Sequence, residues 1–138
     1  MQTLPNLYYA HSKMIYHTPA EKAELDLIRK RFSDHKIINP IEFEGRPEKQ
    51  GKNQMDFCKK IVSTCKTLVF TKWEGEITCG VVQEANHALD NGIAVFELAG
   101  KKFIQQTLHV TGLSFEETLD KYYPWRLNIK NRRLNSSD

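Results

Sequence analysis

Thr67-Leu-Val-Phe-Thr71 is the first of three consecutive stretches that decide the fold. The second is Cys79-Gly-Val-Val-Gln-Glu-Ala-Asn-His-Ala-Leu-Asp90, and the third is Ile93-Ala-Val-Phe-Glu-Leu98. The first and third are short apolar runs rich in β-branched and aromatic residues, which is typical of buried strands. The middle stretch is predicted to be a helix, and Asn91-Gly92 closes it with residues suited to the left-handed conformation. A strand, a helix and a strand in this order predict a parallel βαβ unit.

The same alternation extends on both sides of this unit. Further strands are predicted at 7–10, 37–39 and, more weakly, 102–106, and further helices at 19–33, 53–64 and after Ser114. Thr18 and Glu21 have the spacing of a capping box, as do Ser114 and Glu117. We therefore expect an α/β fold with a parallel sheet of four to five strands, covered by helices on both faces. The polar stretch 41–51 is a candidate lid or binding loop.

The bulk composition predicts one soluble domain over residues 1–138. There is neither a signal peptide pattern nor an apolar run long enough to span a membrane, so we expect a cytoplasmic protein without membrane contact. Three widely spaced cysteines suggest no disulfide and no metal site, although Cys79 near a helix start is a less favoured nucleophile. The basic tail at 125–138 could contact nucleic acid, but it has no accompanying motif, so a solvated or subunit-contacting tail is favoured.

Side chains that suit a sugar and a base follow the strands expected to flank the point where strand order reverses. Tyr9, His11 and Ser12 lie at the end of the first strand, Trp73 follows the third, and Gly80 opens the helix that carries Glu84. Ligands bind at this edge of open parallel sheets. Glu84 is then a ligand contact, a covalent nucleophile for a sugar carbon, or an ordinary solvated helix residue.

One long motif is Gly80-Val-Val-Gln-Glu84-Ala-Asn-His-Ala88-Leu-Asp-Asn-Gly92-Ile-Ala-Val95, and two shorter ones are Leu7-Tyr-Tyr-Ala-His-Ser12 and Thr67-Leu-Val-Phe70. Together these motifs resemble the nucleoside 2-deoxyribosyltransferases. They are similar also to the relatives of that family, the 2'-deoxynucleoside 5'-monophosphate N-glycosidases. The likeness spans about residues 5 to 100. It implies a single deoxyribosyltransferase-like domain with a flavodoxin-like (Rossmann-like) three-layer fold.

The resemblance also implies a reaction. Glu84 would attack the anomeric carbon of a deoxyribonucleoside or its 5'-monophosphate, with Ser12 on sugar or phosphate. Tyr9, at the strand end, either hydrogen-bonds this nucleophile or packs in the core. His11, Trp73 and Gly80 would contact the substrate, and no cofactor or metal is needed. Members of the family form dimers or larger oligomers, so we expect a homo-oligomer.

This chain departs from the family at two aspartate positions. Thr71 and Lys72 occupy the place near the end of the third strand, and Thr78 lies near the second place. Glu74 or Glu76 could replace the missing acid, although neither has the family's spacing. A non-catalytic nucleotide or nucleotide-sugar binding module of the same fold, including one for an NAD-like nucleotide, therefore remains the alternative.

Overall fold

The computed structural model describes residues 3–43 and 53–122. Its regular elements alternate as the sequence predicts, and two short 3-10 turns, Lys13–Ile15 and Pro40–Phe43, follow β1 and β2. Residues 115–122 are helical. The elements in chain order are β1 (Asn6–Ala10), α1 (Pro19–Arg31), β2 (Lys36–Ile38), α2 (Gln54–Val62), β3 (Thr67–Phe70), α3 (Cys79–Asp90), β4 (Ala94–Ala99) and β5 (Lys102–Gln106).

The sheet has the strand order β2-β1-β3-β4-β5, which places β3 at its centre. β2, β1, β3 and β4 run parallel, whereas β5 pairs with β4 in the antiparallel direction. The prediction of a parallel sheet is therefore confirmed for four strands and wrong for β5. Only Gly100, with a φ of 63°, and Lys101 separate β4 from β5, and two residues can close a hairpin but cannot form a crossover.

Alternation along the strands divides the core into two clusters. Tyr8, Leu68 and Val95 are aligned across β1, β3 and β4 and face α2 and α3. The opposite face carries Tyr9 and Val69, which pack against α1. Because successive strand side chains point to opposite faces, adjacent residues of β1 enter different cores.

The helix starts use three different caps. Thr18 and Asn53 accept backbone N–H groups at the starts of α1 and α2, as their residue types favour. Ser114 and Glu117 form both bonds of the predicted capping box. At the start of α3, Thr78 makes no side-chain cap, and the hydroxyl of Thr118 accepts the Cys79 N–H at 3.0 Å instead.

The chain after β5 returns to cover the start of α3. Asn86 bonds both backbone polar groups of Val110, with distances of 3.1 and 2.8 Å. Gly112 lies so close to Ile77 that an added Cβ would be 2.4 Å from its carbonyl oxygen. This close approach fixes the segment on the helix that carries Glu84.

Three predictions concern regions at the limits of the described chain. The candidate lid at 41–51 is described only to Phe43, and the basic tail at 125–138 lies outside the described residues. Both therefore stay predictions. No helix within the described ranges is long and apolar enough to cross a membrane.

Candidate functional site: a buried glutamate held by a strand tyrosine

Glu84 lies in the buried stripe of α3. Val81, Ala85 and Ala88 form the rest of this stripe, with the spacing expected of one helix face. Glu84 is only 6% exposed, so it is not a solvated helix residue. The hydroxyl of Tyr8 on β1 donates a hydrogen bond to its Oε2. A carboxylate in an apolar stripe needs such a donor, because an unpaired buried polar group is costly.

Burial changes the acidity of this pair. Loss of solvation raises the pKa of Glu84 from 4.5 to about 7, and hydrogen bonds from Tyr8 and Cys58 act in the opposite direction. Burial and the neighbouring Glu84 raise the pKa of Tyr8 above its usual value of 10, so its hydroxyl keeps its proton and remains the donor. Glu84 consequently changes charge close to neutral pH.

Cys58 of α2 is the third member of this site. It is a buried free thiol, and burial, followed by the Glu84 charge, raises its pKa. Gln54, one turn earlier on α2, donates to the Cys58 sulfur at 3.6 Å. A thiol with a raised pKa stays protonated and can donate weakly, so Cys58 supports the carboxylate and is not an activated nucleophile.

The prediction that Tyr9 holds Glu84 is wrong by one residue. Tyr9 faces α1, where its hydroxyl donates to Glu24. Thr71 donates to the same Glu24 oxygen at 2.9 Å. Burial raises the pKa of Glu24, while these two hydrogen bonds oppose the rise. Adjacent residues of a strand cannot share a face, so the choice of Tyr8 for Glu84 excludes Tyr9.

His11 also belongs to the α1 side of the sheet. Its ring stacks on Tyr9 at a centroid distance of 3.7 Å, and its Nε2 lies 2.7 Å from Glu21 Oε2. Its Nδ1 lies 3.0 Å from the Tyr9 carbonyl, so both ring nitrogens have protein partners. Burial lowers the pKa of His11, although Glu21 opposes this effect. His11 therefore has no free ring nitrogen for the expected contact with a substrate.

Ser12 is buried at the start of the turn after β1. Its hydroxyl oxygen accepts the Met14 N–H at 3.1 Å, which gives it a structural role. The hydroxyl can still donate to one further group. A sugar or phosphate contact by Ser12 is compatible with this geometry.

The loop after β3 keeps both of its acids away from the buried glutamate. Trp73 and Glu76 form an isolated β-bridge, and the ammonium of Lys121 lies 5.5 Å from the Trp73 ring. Glu74, with a φ of 50°, and Glu76 are exposed. Gly80 lies in the first turn of α3 beside Met55, where an added Cβ would meet the Met55 methyl at an ordinary 3.5 Å. No side-chain hydrogen bond or ion pair from Trp73, Glu74 or Glu76 to Glu84 is recorded, whereas Gly80 lies one helical turn before Glu84 on α3.

The two positions at which the resemblance leads us to expect an aspartate are occupied by Thr71 with Lys72 and by Thr78, none of which is a carboxylic acid. Thr71 directs its hydroxyl to Glu24, and Thr78 is a buried residue before α3. His87, one turn after Glu84, bonds Ser63 at 2.8 Å. No described His, Cys, Asp or Glu cluster has the arrangement of a metal site.

Two cavities lined by described residues lie elsewhere on the molecule. One, of about 390 Å³, has Lys72, Glu76 and Glu97 in its lining. The other, of about 460 Å³, is formed by α2 residues that include Asp56 and Lys60. Glu84 and Tyr8 line neither of them.

Sequence reasoning missed Tyr8, Cys58 and Glu24. Tyr8 and Tyr9 are identical residue types in one strand, so only knowledge of which face each helix covers distinguishes them. Cys58 is one of the three cysteines for which the sequence suggested neither a disulfide nor a metal site, and the structure buries it. Glu24 could have been noticed as an acid three residues after the capping Glu21, on the same side of α1.

Comparison with known proteins gives no match: neither a protein-family model, nor a curated protein, nor a solved structure matches this chain. The site is therefore defined by its own geometry. It is a buried carboxylate on a helix, bonded to a tyrosine on the neighbouring strand.

Proposed function

We propose that this protein cleaves or transfers the N-glycosidic bond of a deoxyribonucleoside or its 5'-monophosphate, with Glu84 as the nucleophile. The single observation that carries the proposal is the buried pair of Tyr8 with Glu84, which lies in the second turn of the helix after β3. The strand order 2-1-3-4-5 supports a flavodoxin-like fold, in which ligands bind beside the strand β1 that carries Tyr8.

The reaction has two displacements. The Glu84 carboxylate attacks C1' of the sugar, the C1'–N bond breaks, and the base leaves with the electron pair and takes a proton. Water or a second base then displaces the carboxylate, as in retaining glycoside chemistry. Tyr8 orients the attacking oxygen and keeps its own proton. Because ionised Glu84 is the attacking form, the rate is expected to rise with pH up to about 7.

The departing base needs a proton donor. Glu74 and Glu76 are exposed on a loop, and Thr71 is bonded to Glu24, so solvent is the proposed proton source. A positioned acid typically contributes about 10²- to 10⁴-fold in rate. We therefore expect slow turnover, fastest for bases that leave without protonation.

The enclosure of Glu84 favours a second candidate, a nucleotide or nucleotide-sugar (NAD-like) binding module that performs no chemistry. A carboxylate with 6% exposure that lines neither of the two cavities described above is suited to holding α3 against β1. In this case nucleotide binding would raise the melting temperature without releasing base.

One experiment separates the two candidates. The protein is incubated with the four deoxynucleosides, their 5'-monophosphates and NAD, and free base is measured by chromatography. Glu84→Gln should abolish release, whereas Glu116→Gln, a change of an exposed acid on the last described helix, should leave it unaltered. Equal release by the Glu84→Gln protein would remove Glu84 from the mechanism, and stabilisation without release would select the binding module.

Assembly and location are further parts of this proposal. Leu108 and Phe115 are large apolar side chains with 80% and 66% exposure, and they support a contact between copies of the chain. Light scattering tests the expected homo-oligomer, and a monomer would contradict it. The three cysteines are free thiols, which supports the intracellular setting that we propose.

A further inference from the structure

The cavity of about 390 Å³ beside β4 and β5 has polar and charged walls. Its lining includes Glu97 of β4, Gln106 of β5 and Lys72 after β3, together with Glu76 and His109. The antiparallel register explains two of these contributions. Val95 is paired with Gln106 and shares a face with Glu97, so Glu97 and Gln106 emerge on the same side of the sheet.

Glu97 is the most enclosed charge in this cavity. Its side chain is only 16% exposed, and its recorded ion pair is to Lys72 Nζ at 3.7 Å, which is longer than a hydrogen bond. Among the described residues no hydrogen bond to its carboxylate is recorded. Lys72 is 43% exposed and therefore retains much of its hydration. The carboxylate of Glu97 is consequently a half-buried acceptor, still accessible from the cavity, for which an ion pair and no hydrogen bond is recorded among the described residues.

Gln106 and His109 are two further polar residues in the lining. Gln106 uses its Nε2 to donate to the Ile104 carbonyl at 3.2 Å, which leaves its Oε1 free to accept. His109 is turned to Asp90, with 2.6 Å between Nε2 and Oδ1. The described lining residues include two carboxylates, Glu76 and Glu97, and one ammonium, that of Lys72. This balance disfavours an anion such as phosphate and favours a donor-rich cation.

We propose that this cavity binds a small organic cation through an alkylguanidinium or alkylammonium group, with Glu97 as its principal partner. A guanidinium presents paired N–H donors that match a carboxylate, and Gln106 Oε1 can accept a further N–H. Lys72 competes with the ligand for Glu97. The site shares no lining residue with the Tyr8–Glu84 pair, so it does not depend on the proposed glycosidic chemistry.

The test uses agmatine as the cationic probe and the full chain in isothermal titration calorimetry at low salt. N-butylurea, an uncharged analogue, and inorganic phosphate are the control ligands. Agmatine should bind saturably and more weakly as salt is added, whereas butylurea and phosphate should not bind in this cavity. Saturable phosphate binding that depends on Lys72, or no agmatine binding at millimolar concentration, would overturn the proposal.

Two variants move the affinity in opposite directions, which separates a binding role from general damage to the fold. Glu97→Gln should weaken agmatine binding at least about tenfold, because it removes a charge-assisted hydrogen bond. Lys72→Gln should strengthen binding, because it removes the competing ammonium. Glu116→Gln should leave the affinity unchanged. Equal affinities for the parent protein and the Glu97→Gln protein, or weaker binding after Lys72→Gln, would each refute the assignment.

Discussion

Tyr8 and Tyr9 are neighbours on β1, yet their hydroxyls bond carboxylates on opposite faces of the sheet. Tyr8 donates to Glu84 of α3 and Tyr9 donates to Glu24 of α1. Each pair ties a helix to the strand from which both tyrosines emerge. The end of β1 is therefore fixed from both sides, and a change in one pair can be compared with the matching change in the other.

The first prediction concerns the pH dependence of stability. The folded protein holds a proton on Glu84 up to about pH 7, whereas the unfolded chain loses it near the ordinary value of 4.5. The stability that this raised pKa contributes is present below pH 4.5 and is lost as pH rises through 7. The loss is about 3 kcal/mol, since one unit of pKa difference is about 1.4 kcal/mol.

Glu84→Gln should remove this dependence, because the amide has a similar shape and no charge. Urea unfolding at pH 5 and pH 8 would give the free energy of unfolding of both proteins. The difference between variant and parent should grow in favour of the variant at the higher pH. If the free energy of unfolding changed equally with pH in both proteins, Glu84 would be a solvated group. Glu116→Gln, which changes an exposed acid, is the control.

The second prediction compares Tyr8→Phe with Tyr9→Phe. Removing the Tyr8 hydroxyl deletes a hydrogen bond that lowers the pKa of Glu84, so this pKa should rise further above 7. Tyr9→Phe removes a bond to Glu24 and should leave the Glu84 titration in place. Carboxyl chemical shifts followed by NMR across pH would report both titrations. A larger effect on Glu84 from Tyr9→Phe would contradict the assignment.

The third prediction concerns the shared acceptor on α1. The hydroxyls of Tyr9 and Thr71 both donate to Oε1 of Glu24, so the two bonds are expected to be coupled. Tyr9→Phe and Thr71→Val should each lower the free energy of unfolding by about 1 to 3 kcal/mol, the usual range for hydrogen bonds to a carboxylate. A double-mutant cycle measured by urea unfolding should show non-additivity above about 0.5 kcal/mol. Additive costs would mean that the two donors act independently.

The fourth prediction tests how the segment after β5 packs on α3. Gly112→Ala would place a methyl 2.4 Å from the Ile77 carbonyl oxygen and 2.7 Å from a methyl of Val82. Such overpacking should destabilise the protein by about 1 to 3 kcal/mol. Gly80→Ala is the matched control, because its nearest contact is 3.5 Å and alanine favours a helix by about 1 kcal/mol. Measured by thermal unfolding, the melting temperature should fall for Gly112→Ala and should not fall for Gly80→Ala.

The order of the elements could be predicted because local patterns determine it. The helix Cys79–Asp90 has the bounds that the sequence indicates, and Gly92, with a φ of 71°, ends it as expected. The antiparallel direction of β5 could have been predicted as well, since two residues between strands allow only a hairpin. The capping box at Ser114 is confirmed, since both of its bonds form.

The capping box at Thr18 forms only in part, for a tertiary reason. The Glu21 N–H bonds Thr18 as predicted, but the Glu21 carboxylate bonds the backbone of His17 and the ring of His11. The Thr18 N–H that a complete box would use donates instead to the Ile15 carbonyl at 3.1 Å. The buried His11 ring takes the carboxylate, because it has no water to replace that bond. Residues distant in sequence therefore redirect a local motif.

The sequence by itself determined the alternation of strands and helices, their approximate ends and the presence of an acid on the helix after β3, because propensity and periodicity act over a few residues. Only the tertiary structure decided that Tyr8, not Tyr9, meets Glu84. Both tyrosines are equally suited to a buried strand, and a strand presents alternate residues to opposite faces. Which tyrosine meets the acid therefore depends on the face that α3 covers, and that is set by packing of the whole chain.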